Sequence, residues 1–206
     1  MFALFDIQQW LEQGGLLILA AIVFAESGLF VGFFLPGDSL LFIAGFLASG
    51  AGGHRLPAIP WVMLTAVVAA IVGDQVGYLF GRRVGPSLFD RPKSRLFNPA
   101  NVRKAHDFLD TYGPKTIVLA RFVPIVRTFA PIVAGVGKMH YRTFITFNVL
   151  GGLMWGAGVT LLGYFLGEID AVKHNLELAI LAVVAISLLP MAVELLKHRR
   201  QAAVAD

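Results

Sequence analysis

Two arginines, Arg121 and Arg127, lie in "ARFVPIVRTFAPIVAG" (120–135), a stretch otherwise built from apolar residues and flanked by more of them. A charge at the centre of a bilayer costs about 2.5–3.5 kcal/mol on insertion scales and more by simulation, so each guanidinium needs a partner. A second apolar tract carries two candidates, Glu26 and Asp38. The planar guanidinium fork grips carboxylate or phosphate with two parallel hydrogen bonds, which a lysine cannot do. Two acids and two arginines sum to zero. A bound phosphate of about −1.5 to −2 would leave that site negative, and a proton on Glu26 or Asp38 would restore balance and free an arginine. The chemistry expected is therefore proton-coupled binding of an anionic headgroup. A salt-bridge cluster that only holds the chain together is the plainer alternative. Buried ion pairs rarely outperform apolar packing, however, so four charges at membrane depth favour function.

The long apolar runs around these residues read as a polytopic membrane protein, with a soluble enzyme a poor second. The 206 residues are 57% hydrophobic and 15% charged, against about 25% charged in soluble domains, and the mean hydropathy is +0.73. With no cysteine, disulfides and thiolate metal sites are excluded. The N-terminus "MFALFDIQQW" lacks the basic region and cleavage site of a signal peptide and reads as mature sequence. The pI near 9.6 reflects cationic loops on the inner face, and no nucleic-acid partner is expected.

Apolar tracts cover 15–52, broken by "FLPGDS" (34–39), then 59–81, 116–137, 143–167 and 176–196. The linker 82–115 holds eight Lys/Arg, and "KMHYR" (138–142) and "KHRR" (197–200) are also basic, so all three read as cytoplasmic. The C-terminus then lies inside, while the first fourteen residues and "EIDAVKHN" (168–175) read as outside. Tract 116–137 has cytoplasmic charge at both ends, so it enters and leaves by one face, with Pro124 and Pro131 as helix breakers. Tract 15–52 does the same from outside, turning near Pro36 and Gly37. Such re-entrant backbone must be buried in protein or line a wet cavity. Three helices cross fully, 59–81, 143–167 and 176–196. Amphipathic segments lie on the surface, one at the N-terminus and one from Asn98-Pro99 to Gly113-Pro114.

"FIAGF" (42–46) is echoed by "IVAGV" (132–136), and "GYLFG" (77–81) by "GYFLG" (163–167), in the same order. The fold expected is all-α: a single membrane domain 1–206 with an inverted repeat. Residues 1–81 form the first repeat and 82–167 the second, each with a re-entrant hairpin, and 176–196 is a final crossing helix. Inverted repeats with broken segments meeting at mid-membrane are a mark of secondary transporters. Glycines at 73, 77, 81 and 85 read as close helix packing.

Asp74, one turn before Tyr78, is either a second proton site or a cap for hairpin backbone. Pro36, Gly37, Pro124 and Thr128 are accessory candidates around the charged centre. "HDFLD" (106–110) has a metal-capable spacing but reads as a solvated face, so no metal is expected. His140, Tyr141, Trp10 and Trp61 read as interfacial anchors. Trp155 reads as core packing. Ser49 and His54 are too close to the outer boundary to form a hydrolase pair.

Three motifs carry a family resemblance: "GFFLPGDSLL" with an acid twelve residues before Asp38, "GDQVGYLFGRRVG" (73–85), and "ARFVPIVRTFAPIVAG". Over about residues 20–167 they resemble the DedA family of bacterial inner-membrane proteins, which is similar in domain to endoplasmic-reticulum lipid scramblases of autophagy. The resemblance implies lipid flipping, with recycling of undecaprenyl phosphate and movement of phosphatidylethanolamine as the known activities, and dependence on proton motive force in several members. Its essential acids fall on Glu26 and Asp38 and its essential arginines on Arg121 and Arg127.

The expectation is a multi-pass transporter of the bacterial inner membrane. Arg121 and Arg127 would hold a lipid phosphate, undecaprenyl phosphate first, and Glu26 and Asp38 would couple to protons. The partners are then an anionic lipid, protons and the membrane, with a homodimer left open and no cofactor required. The alternatives are a phosphatidylethanolamine flippase or scramblase and a proton-coupled exporter of small cations. An intramembrane lipid phosphatase would need a histidine near the charges, and all five histidines fall in loops or interfacial segments, so no enzyme is expected.

Overall fold

A helix crosses a bilayer when about 20 apolar residues cover its roughly 30 Å hydrocarbon core. The computed structural model describes residues 2–29, 37–50, 56–88 and 111–169, and among them it contains only helices and the turns between them. These are α1 (Phe2–Gly28), α2 (Gly37–Ala48), α3 (Ile59–Leu88), α4 (Lys115–Ala120), α5 (Pro124–Val136), α6 (Tyr141–Gly152), a π-helical turn (Leu153–Ala157) and α7 (Gly158–Gly167). Two stretches are long and apolar enough to cross, Ile59–Val84 and Tyr141–Gly167. They extend the expected tracts 59–81 and 143–167 by two or three residues. Gly14–Gly28, Gly37–Ala48 and Val126–Val136 are apolar but shorter. The expected crossing helix 176–196 and the surface segment up to residue 110, with His106 and Asp110, lie outside the described residues. Gly113 does adopt a left-handed φ of 71°, which ends the helical turn before Pro114.

Exposure is inverted relative to a soluble domain. On α3, Leu64, Val68, Val72, Val76 and Phe80 recur every four residues, and each is about half exposed. That stripe would be an aggregation hazard in water and is ordinary against lipid. Glu26, Asp74, Arg121 and Arg127 are instead buried. The molecule is a membrane protein that buries these four charges, while Arg82, Arg83, Lys115, Lys138, Arg142 and Glu168 stay exposed.

Glycines decide how the helices close. Gly15, at φ 52° and ψ −138°, kinks α1 in a conformation that favours glycine and separates the first segment from Gly14–Gly28. Further along, Gly28 of α1 meets the backbone of Gly73 of α3. Gly45 of α2 faces the Thr160 carbonyl on α7, and Gly163 of α7 faces the Phe42 carbonyl. Likewise Gly81 of α3 faces the Ile132 carbonyl on α5, and Gly135 of α5 faces the Tyr78 carbonyl. A Cβ at any of these would strike backbone, so the small residues let helices touch where lipid supplies no hydrophobic drive. The four-residue glycine spacing expected on α3 thus serves packing at 73, 77 and 81, while Gly85 is beyond the side chains described.

Ten of the twelve residues of α2 are buried, so this helix is sheathed by protein on nearly every side. Its Leu40, Phe42, Phe46 and Leu47 form one core with Leu19 and Val23 of α1, Val62 and Ala66 of α3, and Trp155. A second cluster joins Tyr78, Ile117, Ala134 and Phe144 at the other end of α3. Tyr78 stacks on Phe144 at 4.3 Å and donates its hydroxyl proton to the Met139 carbonyl at 2.7 Å, which fixes the turn between α5 and α6.

Candidate functional site

The chain breaks between the two arginines. Val123 precedes a proline and is extended (φ −118°, ψ 109°), as residues before proline tend to be, and Pro124 opens α5 at a position that needs no N–H. Pro131 behaves differently from the helix breaker expected. It sits inside α5, buried against Gly77, and the helix continues to Val136. Packing on α3 holds the turn, and the absent N–H gives up only the bond to the Arg127 carbonyl. Arg121 therefore ends α4, Arg127 lies on the first turn of α5, and the two part company.

Arg127 takes the acids expected of the pair. Its Nη2 donates to Glu26 Oε1 and its Nη1 to Asp38 Oδ1, the latter at 2.7 Å. Glu26, fully buried, also accepts from the Gly37 N–H at 3.2 Å, at the first turn of α2, where the helix dipole favours negative charge. Gly37 is required sterically too, because the Glu26 carboxylate occupies the space its Cβ would take. Thr128 Oγ1 reaches the Glu26 carbonyl at 3.5 Å. Trp155 completes the group. Its Nε1 donates to Asp38 Oδ1 at 2.7 Å, and its ring lies 4.9 Å from the Arg127 guanidinium carbon. Three elements, α1, α2 and the π-helical turn, thus converge on the guanidinium carried by α5.

Arg121 is not among them. Its Nη2 donates to Asp74 Oδ2 and, at 2.5 Å, to Asn148 Oδ1, whose own Nδ2 donates to the Ile71 carbonyl. Its stem lies against Gly151. Asp74, expected as a proton site or a backbone cap, is the counter-ion of Arg121. The reason is positional: Arg121 opens the turn at 121–123 and faces mid-α3, whereas Glu26 and Asp38 lie beyond it.

The formal charges then differ from the sequence count. Arg121 and Asp74 cancel, while Arg127 with Glu26 and Asp38 leaves −1. Glu26 Oε2 and the Nε atoms of both arginines are buried with no hydrogen-bond partner among the described residues. Capacity for a further proton, donor or acceptor therefore remains inside the site.

Of the accessory candidates, Gly37 and Thr128 join the triad and Asp74 the second cluster. Pro124 shapes the α4–α5 turn, and Pro36 lies outside the described residues. Trp61, His140 and Tyr141 are exposed, and the side chain of Trp10 is beyond those described. Asn148 escaped the sequence reading, and Trp155, read as core packing, does pack in the core but also joins the site. The signals available were an amide inside an apolar tract and a tryptophan far from either interface, where its N–H needs a partner.

Gly37→Ala tests the cradle without touching a charge. Thermal unfolding in detergent should show destabilisation of about 1–3 kcal/mol, as expected for a displaced hydrogen bond. An unchanged melting curve would mean that Glu26 has another resting place.

Residues 35–165 match the VTT domain family. Protein DedA of Escherichia coli K12 is 48% identical over 186 residues, covering 90% of this chain and 84% of that protein. The uncharacterized membrane protein Rv0364 of Mycobacterium tuberculosis H37Rv is 44% identical over 212 residues, covering 98% and 91%. That of Mycobacterium leprae, ML0287, is 46% identical over 170 residues, covering 82% and 74%. No solved structure matches. A domain match spanning most of the chain, near-half identity along almost its full length, and buried charges among lipid-facing helices agree: the chain belongs to the DedA family of VTT-domain membrane proteins.

Proposed function

We propose that the protein is a transporter that carries an anionic lipid headgroup across the bacterial inner membrane together with protons, with undecaprenyl phosphate as its substrate. The observation that carries this is the buried Arg127, held between Glu26 and Asp38 by hydrogen bonds that an incoming phosphate can replace. The triad carries −1, so an approaching anion is repelled until a proton is added to a carboxyl. One proton brings the triad to zero and loosens a bond to Arg127, and the phosphate then takes the freed fork. The isoprenoid tail stays in the bilayer throughout, so only the headgroup crosses. Arg121, tied to α3 and α6 through Asp74 and Asn148, holds the limb that positions Arg127. No covalent step is invoked.

The architecture of this reading keeps 15–52 and 116–137 as re-entrant hairpins entering from opposite faces. Its support is the shortness of Gly14–Gly28, Gly37–Ala48 and Val126–Val136, and the burial of α2, which such backbone requires. The reciprocal glycine seats, α2 on α7 and α5 on α3, are what two related halves exchanging hairpins would produce. Placement in the inner membrane is supported by the family, and a C-terminus inside by the charge bias of the loops.

The surplus negative charge and the unpartnered Glu26 Oε2 favour one second reading, proton-coupled export of a small cation. Proton counting separates the two. In weak buffer near neutral pH, detergent-solubilised protein should take up about one proton per chain on adding undecaprenyl phosphate. Release of protons on adding a quaternary ammonium ion, with no response to the lipid, would favour the cation reading and refute the first.

A further inference from the structure

For Arg127 to change partners, the acids it leaves must not be stranded. Glu26 is fully buried and the Asp38 side chain 16% exposed, and a carboxylate so enclosed that loses its donor bears much of the cost of desolvation. Among the described residues, each acid of the triad has one donor that is not an arginine: the Gly37 N–H on Glu26 and the Trp155 Nε1–H on Asp38. The backbone donor comes with α2. Trp155 is a side chain, 2% exposed, and it lies on the π-helical turn Leu153–Ala157 in the middle of a spanning helix. Such wide turns inside α-helices are rare and concentrate at functional sites. Here the turn carries the indole that touches both members of the ion pair, its N–H on Asp38 and its face against Arg127.

We propose that Trp155 is the positioning residue that lets Arg127 exchange Asp38 for a bound anion. Its N–H keeps Asp38 satisfied while the guanidinium turns away, and its ring keeps the guanidinium inside the site as it does so. Without the N–H, Arg127 is Asp38's only hydrogen-bond donor among the described residues, so the anion must compete against a carboxylate with no other donor. This rests on the anion-transport reading above. It goes beyond packing, since a tryptophan that only fills the core would serve equally well without its N–H.

Headgroup translocation in proteoliposomes, measured against the mole fraction of undecaprenyl phosphate, tests this on the full chain. The variants are Trp155→Phe and, at the same position, the benzothiophene isostere of tryptophan, which keeps the ring and lacks the N–H. The isostere preserves core volume, so it reports even if the phenylalanine variant folds poorly. The half-saturating mole fraction should rise about tenfold with the maximal rate within about threefold, the scale of one lost hydrogen bond to a charged group. Wild-type half-saturation in the isostere, or a fall in maximal rate alone, would overturn the role given to Trp155 and leave anion transport standing. A wild-type chain that translocates no anionic headgroup would remove both.

Discussion

Arg127→Ala is expected to abolish headgroup translocation and to destabilise the fold by about 3–5 kcal/mol, the usual cost of removing one partner from a buried ion pair. The variant leaves Glu26 without its charged donor in a fully buried position and Asp38 with Trp155 alone among the described residues. Two effects are mixed there, loss of the substrate's binding group and loss of a structural cation, and one further variant separates them. In Glu26→Gln/Asp38→Asn/Arg127→Gln, neutral amides replace every charge and can still hydrogen-bond one another. Thermal unfolding in detergent should return to near the wild-type midpoint while translocation stays absent. If the neutral triple variant transports at the wild-type rate, the charges serve the fold and the anion reading fails.

Asp74→Ala should be nearly as damaging to stability, again about 3–5 kcal/mol, because Arg121 is 4% exposed and keeps only Asn148 as a hydrogen-bond partner among the described residues. The functional outcome should differ from that of the triad. Asp74 and Arg121 tie mid-α3 to the end of α4, and Asn148 extends the tie to α6. Asp74→Asn/Arg121→Gln keeps the shape and the hydrogen bonds without charge. It should recover most of the stability and retain translocation within about tenfold, since it alters only the support of Arg127 and no group that takes the anion. Complete loss of transport in a stably folded double variant would instead put Arg121 on the substrate path beside Arg127.

The sequence carried the charges and the lengths clearly, because cost at membrane depth is a property of residue type and position along the chain. Glu26, Asp38, Arg121 and Arg127 stood out as ionisable residues in apolar tracts, and the spanning stretches differ from their expected limits by two or three residues. The glycine spacing on α3 was legible for a similar reason, since little other than close helix packing favours small residues every fourth position. Pairing was not legible. Whether Arg121 meets Glu26 or Asp74 depends on where α4 ends and α5 begins, and the sequence offered two prolines for that break. Only packing against Gly77 and its neighbours on α3 shows that Pro124 makes the turn and Pro131 does not. The polar contacts of Trp155, beyond the core packing read for it, and of Asn148 were missed because their partners lie 117 and 27 residues away in the chain, and no local pattern encodes such contacts.

The central claim is that a phosphate headgroup crosses by taking the fork of Arg127. It is tested most directly by translocation of undecaprenyl phosphate and phosphatidylethanolamine in parallel proteoliposomes, for the wild type and for Arg127→Lys, with and without a pH gradient. Lysine keeps the charge and loses the planar fork. The account predicts that the wild type moves undecaprenyl phosphate faster than phosphatidylethanolamine, that a pH gradient changes the rate, and that Arg127→Lys is nearly inactive. Equal rates for the two lipids, with Arg127→Lys indistinguishable from the wild type, would contradict it.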